Sequence, residues 1–283
     1  MAKAGRENFP VASRFLPRAV RPHVLAIYGY ARLVDDVGDE APGDRLRLLD
    51  ELAADLERAY SGAPEHPLLR GLVPTIRTFD IPKQPFLDLI EANRQDQRVS
   101  AYPTFDELLA YCALSANPVG RLVLAVFRSA SPGNVERSDA ICTGLQLLEH
   151  WQDVAEDHAR GRVYVPEEDL DRFGVRAEDL SGARPASPAF RRLMAFEVDR
   201  ARALIRRGEP LARDLGGRAG LAVAAFVAGG LSGLDAIARG GYDVLRGAPG
   251  PGTGRRLGAL FAVVVRSRWR PWRPGRPGRT RRS

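Results

Sequence analysis

Thiols are scarce. Cys112 and Cys142 are the only cysteines in 283 residues, and both sit in apolar surroundings. No disulfide framework is implied, and a reducing cytoplasm suits the chain. Histidine is nearly as rare: His23, His66, His150 and His158 show no paired metal-ligand spacing, so none is given a catalytic role. The first twenty residues carry Arg and Pro but no apolar core, so no secretory signal peptide is expected. The most apolar stretch, 221–238, is interrupted by Gly229, Gly230, Gly233 and Asp235. It reads as too short for a membrane span, which takes about 20 mostly apolar residues. Alternating runs of strand length and internal repeats are missing too. The net charge of +7 misleads, because residues 266–283 hold eight Arg and no acid, and the rest is near neutral. Pro and Gly make that segment a basic tail, expected to be disordered, and residues 1–265 read as one domain. Basic charge confined to a tail, with no accompanying motif, argues against nucleic acid as a partner.

What the chain does have is the helical period. Pro22 and Pro42 bracket a stretch in which Val24, Ile27, Tyr28, Ala31 and Val34 recur at steps of three and four. Leu46, Leu49, Leu52 and Leu56 mark a second amphipathic helix. Segments 66–79 and 83–98 follow, divided by Ile81-Pro82. Thr104 with Glu107 forms a capping-box pattern, Asn117-Pro118 interrupts an apolar run, and 119–130 resumes it. The pattern predicts one long helix over 135–159, an extended segment RGRVYVPEEDL over 160–170, and helices over 187–214 and 218–245. The expected class is all-α, in one domain.

Two acidic stretches stand out on these helices. In ARLVDDVGDE, residues 31–40, Asp35 and Asp39 share a helix face, as do Asp36 and Glu40. In QLLEHWQDVAEDHARGRVYVP, residues 146–166, Glu149, Asp153 and Asp157 stand four residues apart. Like charges at that spacing destabilise an isolated helix by about 0.2–0.5 kcal/mol per pair, so a cation is the natural compensation. One such stripe alone is more often a solvated face. Here the flanks are apolar: Leu33, Val34 and Val37 around the first, Leu145, Leu147, Leu148, Trp151 and Val154 around the second. Carboxylates on helices this apolar are expected to face a cavity. Mg²⁺ suits them, being an oxygen-seeking ion often shared between carboxylates and substrate phosphates. With Arg32 and Arg162 nearby, the pattern fits a diphosphate clamp beside an apolar chamber. Ionisation of a prenyl diphosphate fits, although spacing alone does not name that substrate.

The two stretches together resemble the paired signatures of the squalene/phytoene synthase family, head-to-head prenyl synthases with the all-α isoprenoid-synthase fold and a central cavity. The second is the more specific, since Gly161, Arg162, Tyr164 and Pro166 follow its acids at fixed distances. By position, the resemblance implies metal ligation by Asp35 and Asp39, with Asp36 between them, and by Asp153 and Asp157. It implies diphosphate contacts at Tyr28, Arg32 and Arg162, a pocket role for Gln146, and a substrate contact at Ser13. ENFPVASRFLP, DLIEANRQDQRVSAYPTFDELLAYC and SANPVGRLVL resemble the branch that serves bacterial hopanoid synthesis. That branch implies conversion of presqualene diphosphate and water to hydroxysqualene and pyrophosphate, with Mg²⁺ and without NADPH. A presqualene diphosphate synthase and a flavin-dependent reductase are the implied partners. The sister activities are presqualene diphosphate, squalene and phytoene synthesis, and a non-catalytic prenyl-diphosphate binder is the reading from another class.

Two departures bear on this. Many relatives carry Asn where this chain has Glu149, which adds charge to the metal site, and Arg where it has Gln152. Losing that cation suits an enzyme that takes one diphosphate rather than two; packing is the other explanation. Tyr111, Ser115 and Asn117 are candidates for positioning water, each with a structural role as the plainer reading. Trp151 and Phe127 read as core. The basic tail, with Trp269 and Trp272, suggests peripheral contact with an anionic membrane face.

Overall fold

A computed structural model describes residues 18–247. Helix α1 (Arg21–Asp39) carries Pro22 in its first turn, where a missing N–H is harmless, and buries Val24, Ile27, Tyr30 and Val34. Tyr30, not Tyr28, completes the inward stripe; its hydroxyl donates to the Phe86 carbonyl at 3.0 Å, while Tyr28 is 37% exposed. Helices α2 (Arg45–Ser61), α3 (Pro67–Phe79) and α4 (Gln84–Asp96) pack against α1. Helix α5 (Phe105–Ser115) starts where the Thr104 hydroxyl accepts from the Glu107 N–H at 3.2 Å. After a break at Ala116, α6 (Asn117–Val126) begins at the Asn-Pro pair.

Helix α7 (Pro132–Gln152) is the central strut, packed against α5, α6, α10 (Pro188–Gly208) and α12 (Gly217–Arg239). Gly144 permits the close approach of α7 and α10: a Cβ there would lie 3.0 Å from the Ala201 carbonyl oxygen and 2.6 Å from Ile205 Cγ1. Short helices α8 (Val154–Ala159), α9 (Glu167–Phe173) and α11 (Leu211–Leu215) fill the connections. Among the described residues the only β pairing is an isolated bridge, Ala101 with Val163.

Several sequence expectations change. The helix expected over 135–159 divides at Asp153, whose backbone (φ −105°, ψ 14°) leaves helical geometry inside the acidic stripe. Segment 160–170 turns at Arg160 and Gly161, pairs only at Val163, and gives way to α9 at Glu167 directly after Pro166. The helix expected over 187–214 divides near Pro210, which has no N–H for the ladder. The last ends at Arg239, before Gly240 and Gly241. Its 23 residues are, contrary to the sequence reading, long and apolar enough to cross a membrane, as is the stretch Phe105–Val126. Of their most apolar windows, 61% and 44% respectively are buried against the rest of the described residues. The proposed boundary at 265, the basic tail and Ser13 lie outside the described residues.

Candidate active site

Helix α6 touches both α1 and α7, and the space between them and α12 is a cavity of about 360 Å³. Its walls are mostly apolar: Val24 from α1, Val119, Val123 and Leu124 from α6, Ile141 and Leu145 from α7. Phe127 also lines it while 4% exposed, so this ring is both core and wall, whereas Trp151 is fully buried and does not line it. Polar lining comes from Asp35, Gln146 and Glu149, with the hydroxyls of Ser115 and Ser138 and the Cys142 thiol. A carboxylate from each acidic stretch therefore reaches one chamber.

The two carboxylates feel each other. Burial pushes the Asp35 carboxyl up to about 6; Asp39 and Asp36 add to this, and a hydrogen bond from Asn93 opposes it. Burial pushes Glu149 up to about 7, with Asp153 on the same stripe and then Asp35 adding repulsion. Asp153 is also raised, first by burial and then by Asp157. Gly38 explains itself here: a Cβ on it would stand 1.9 Å from Asn93 Oδ1, so only glycine lets Asn93 pack against α1 beside Asp35.

The other residues singled out in the sequence are placed differently. Asp36 meets Arg32 at 2.5 Å, and Arg32 also reaches Glu40 at 3.5 Å, so these three form an ion-paired face of α1. Asp36, Arg32 and Tyr28 do not line the cavity, and neither do Asp39, Asp153, Asp157 and Arg162. Asp39 accepts from Arg162 Nη1 at 3.3 Å, which ties the end of the first stretch to the strand-like segment after the second. That segment is held by the Val163 N–H on the Ser100 carbonyl at 2.7 Å and the Glu167 N–H on the Tyr102 carbonyl at 2.9 Å. Among the described residues, no three His, Cys, Asp or Glu side chains converge as a preformed metal cage. The donors are nonetheless hard oxygens around a buried, mutually repelling pair. They fit an ion that keeps water and ligand oxygens in its shell, as Mg²⁺ does.

Three residues escaped the sequence reading. Asp96 accepts from the Tyr111 hydroxyl at 2.8 Å and the Tyr164 hydroxyl at 3.4 Å, joining α4, α5 and the 160–166 segment; burial raises its carboxyl. His150 stacks on Tyr164 with ring centroids 3.8 Å apart, bonds Gln146 at 3.2 Å and lies 3.9 Å from Asp157. Asn93 is the third. Asp96 meets Tyr111 and Tyr164, Asn93 packs against Gly38, and His150 stacks on Tyr164, so local spacing alone does not mark them.

Comparison with known proteins decides the family. The squalene/phytoene synthase family model matches residues 2–258. The chain belongs to the squalene/phytoene synthase family. It is thus a prenyl diphosphate-processing synthase with the terpenoid-synthase helical fold. A hydroxysqualene synthase of Rhodopseudomonas palustris is 37% identical over 213 residues, 74% of this chain and 71% of the relative. A phytoene synthase of Arthrospira platensis is 35% identical over 211 residues, 69% of this chain and 68% of the relative. The crystal structure of squalene synthase HpnC from Alicyclobacillus acidocaldarius superposes with a TM-score of 0.80 at 45% identity, covering 84% of this chain and 90% of that one.

Proposed function

We propose that this enzyme is a hydroxysqualene synthase: it ionises presqualene diphosphate with Mg²⁺ and captures the rearranged cation with water, releasing hydroxysqualene and pyrophosphate. The observation that carries this is a mostly apolar chamber whose wall bears one carboxylate from each acidic stretch, Asp35 and Glu149. Similarity to hydroxysqualene synthases and to HpnC supports the same branch. Bound Mg²⁺ supplies charge neutralisation for the departing diphosphate. Asp35, Asp39, Glu149, Asp153 and Asp157 are the residues that would hold it. Asp36 acts from outside the cavity by fixing Arg32. Arg162, positioned by Asp39, offers a guanidinium to phosphate oxygens. The apolar walls exclude bulk water and accommodate the hydrocarbon.

No reductant enters, since the product carries oxygen from water rather than a hydride. The enzyme works in the cytoplasm beside the membrane that holds its lipid product, with the basic tail facing anionic headgroups. The test is incubation of purified protein with Mg²⁺ and either presqualene diphosphate or farnesyl diphosphate, each with and without NADPH, followed by mass spectrometry. Hydroxysqualene from presqualene diphosphate alone is the expected product. Conversion of farnesyl diphosphate to presqualene diphosphate, squalene or another dimer moves the protein to a sister activity. Absence of any pyrophosphate release leaves only a binding role.

A further inference from the structure

Capture of a carbocation by a single water requires a group that orients that water in an otherwise apolar chamber. Three side chains near the α5–α6 break carry suitable polar atoms, and the structure separates them. The Tyr111 hydroxyl is committed to Asp96 at 2.8 Å. The Asn117 carbonyl oxygen accepts from the Thr143 hydroxyl at 2.9 Å, a buried bond that joins α6 to α7. Ser115 lines the cavity, and its hydroxyl oxygen is buried without a hydrogen-bond partner. Ser138, the other hydroxyl in the lining, bonds to the Cys142 thiol. An unsatisfied buried hydroxyl costs about 1–3 kcal/mol, so its retention calls for a ligand or water that satisfies it.

Resting on the reading given under Proposed function, we infer that Ser115 positions the water that ends the reaction. Meeting water in the chamber takes a turn of this buried side chain to another staggered χ1 rotamer. Turned inward, the hydroxyl accepts a hydrogen bond from water and leaves a water lone pair free for the cation. That pair forms the new C–O bond, and the proton lost from the resulting oxonium goes to pyrophosphate, the strongest base released in the cavity. Carbon is neither oxidised nor reduced by a co-reactant, and the chain supplies only orientation. Without the oriented water, the cation loses a proton to give a hydrocarbon, or takes water at another carbon.

The test compares wild type with Ser115→Ala and with the near-isosteric pair Ser115→Thr and Ser115→Val. Each is given presqualene diphosphate, Mg²⁺ and ¹⁸O-labelled water, and hydroxysqualene is scored per pyrophosphate released. That ratio is independent of the overall rate, so a general loss of folding or binding does not move it. The expected result is a ratio near unity in wild type and Ser115→Thr, and a fall of about tenfold or more in Ser115→Ala and Ser115→Val, equivalent to about 1.4 kcal/mol. An unchanged ratio in Ser115→Ala and Ser115→Val, with labelled hydroxysqualene still dominant, overturns the role of Ser115 and leaves the activity standing. A wild type that makes no hydroxysqualene from presqualene diphosphate overturns both.

Discussion

Replacement of Glu197 by Gln is expected to flatten the pH dependence of stability, because Glu197 is a fully buried carboxyl far from the cavity lining. It sits on α10 beside Asp169 of α9, and the two share Arg200, whose Nη1 lies 2.5 Å from Asp169 and 3.4 Å from Glu197. One Glu197 oxygen, Oε2, accepts no hydrogen bond from any donor. Burial pushes this carboxyl up to about 8; Arg200 opposes the rise, and Asp169 adds to it as neighbouring charge and hydrogen-bond acceptor. In the unfolded chain Glu titrates near its ordinary value of about 4.3. The folded form therefore holds the proton more tightly. Its stabilising contribution is complete below about pH 4.3 and is lost as pH rises toward about 8. The slope is up to about 1.4 kcal/mol per pH unit, summing to order 3–5 kcal/mol. Glu197→Gln keeps the neutral shape and a donor for Asp169 without the titration. Urea unfolding at pH 5 and pH 8.5 checks this. The variant should exceed wild type by about 1 kcal/mol at pH 5 and by several kcal/mol at pH 8.5. Parallel pH dependence in the two proteins would refute the reasoning.

Gly38→Ala drives a methyl into Asn93, and overpacking of this kind costs about 1–3 kcal/mol; thermal unfolding should show it, with Asn93→Ala in the same chain restoring part of the loss. Arg162→Ala removes the cation beside Asp39, and steady-state pyrophosphate release should fall by about 10- to 100-fold, or about 1.4–2.7 kcal/mol. Lys at 162 should recover only part of this, since it lacks the planar fork. Removal of residues 266–283 takes away eight Arg, each worth about 1 kcal/mol near an anionic leaflet. Co-sedimentation with phosphatidylserine vesicles should fall while activity on detergent-dispersed substrate persists.

Much of this architecture is written locally. The i, i+4 spacing of Asp35 and Asp39 and of Glu149 and Asp153, set among aliphatic residues, was enough to expect two acidic faces on a shared cavity. The structure brings Asp35 and Glu149 to one chamber. Helix existence was legible from the recurrence of Leu and Val; helix ends were less so. The break at Asp153 has no Pro or Gly to announce it, and it comes where the stripe crowds three carboxylates together. Tyr28 and Tyr30 are both good inward candidates by composition. The carbonyl of Phe86, on a different helix, selects Tyr30. Asp96, Asn93 and His150 draw on distant partners: Asp96 on Tyr164, Asn93 on the glycine at 38, and His150 on the ring of Tyr164.

We propose that the two acidic helices form one metal–diphosphate site. Calorimetric titration of pyrophosphate in the presence of Mg²⁺ tests it most directly, using wild type, Asp35→Asn and Asp153→Asn. One pyrophosphate per chain is expected to bind, dependent on Mg²⁺, with binding lost when either motif is neutralised. Undiminished binding in either variant, or two independent pyrophosphates each sensitive to only one motif, would contradict it.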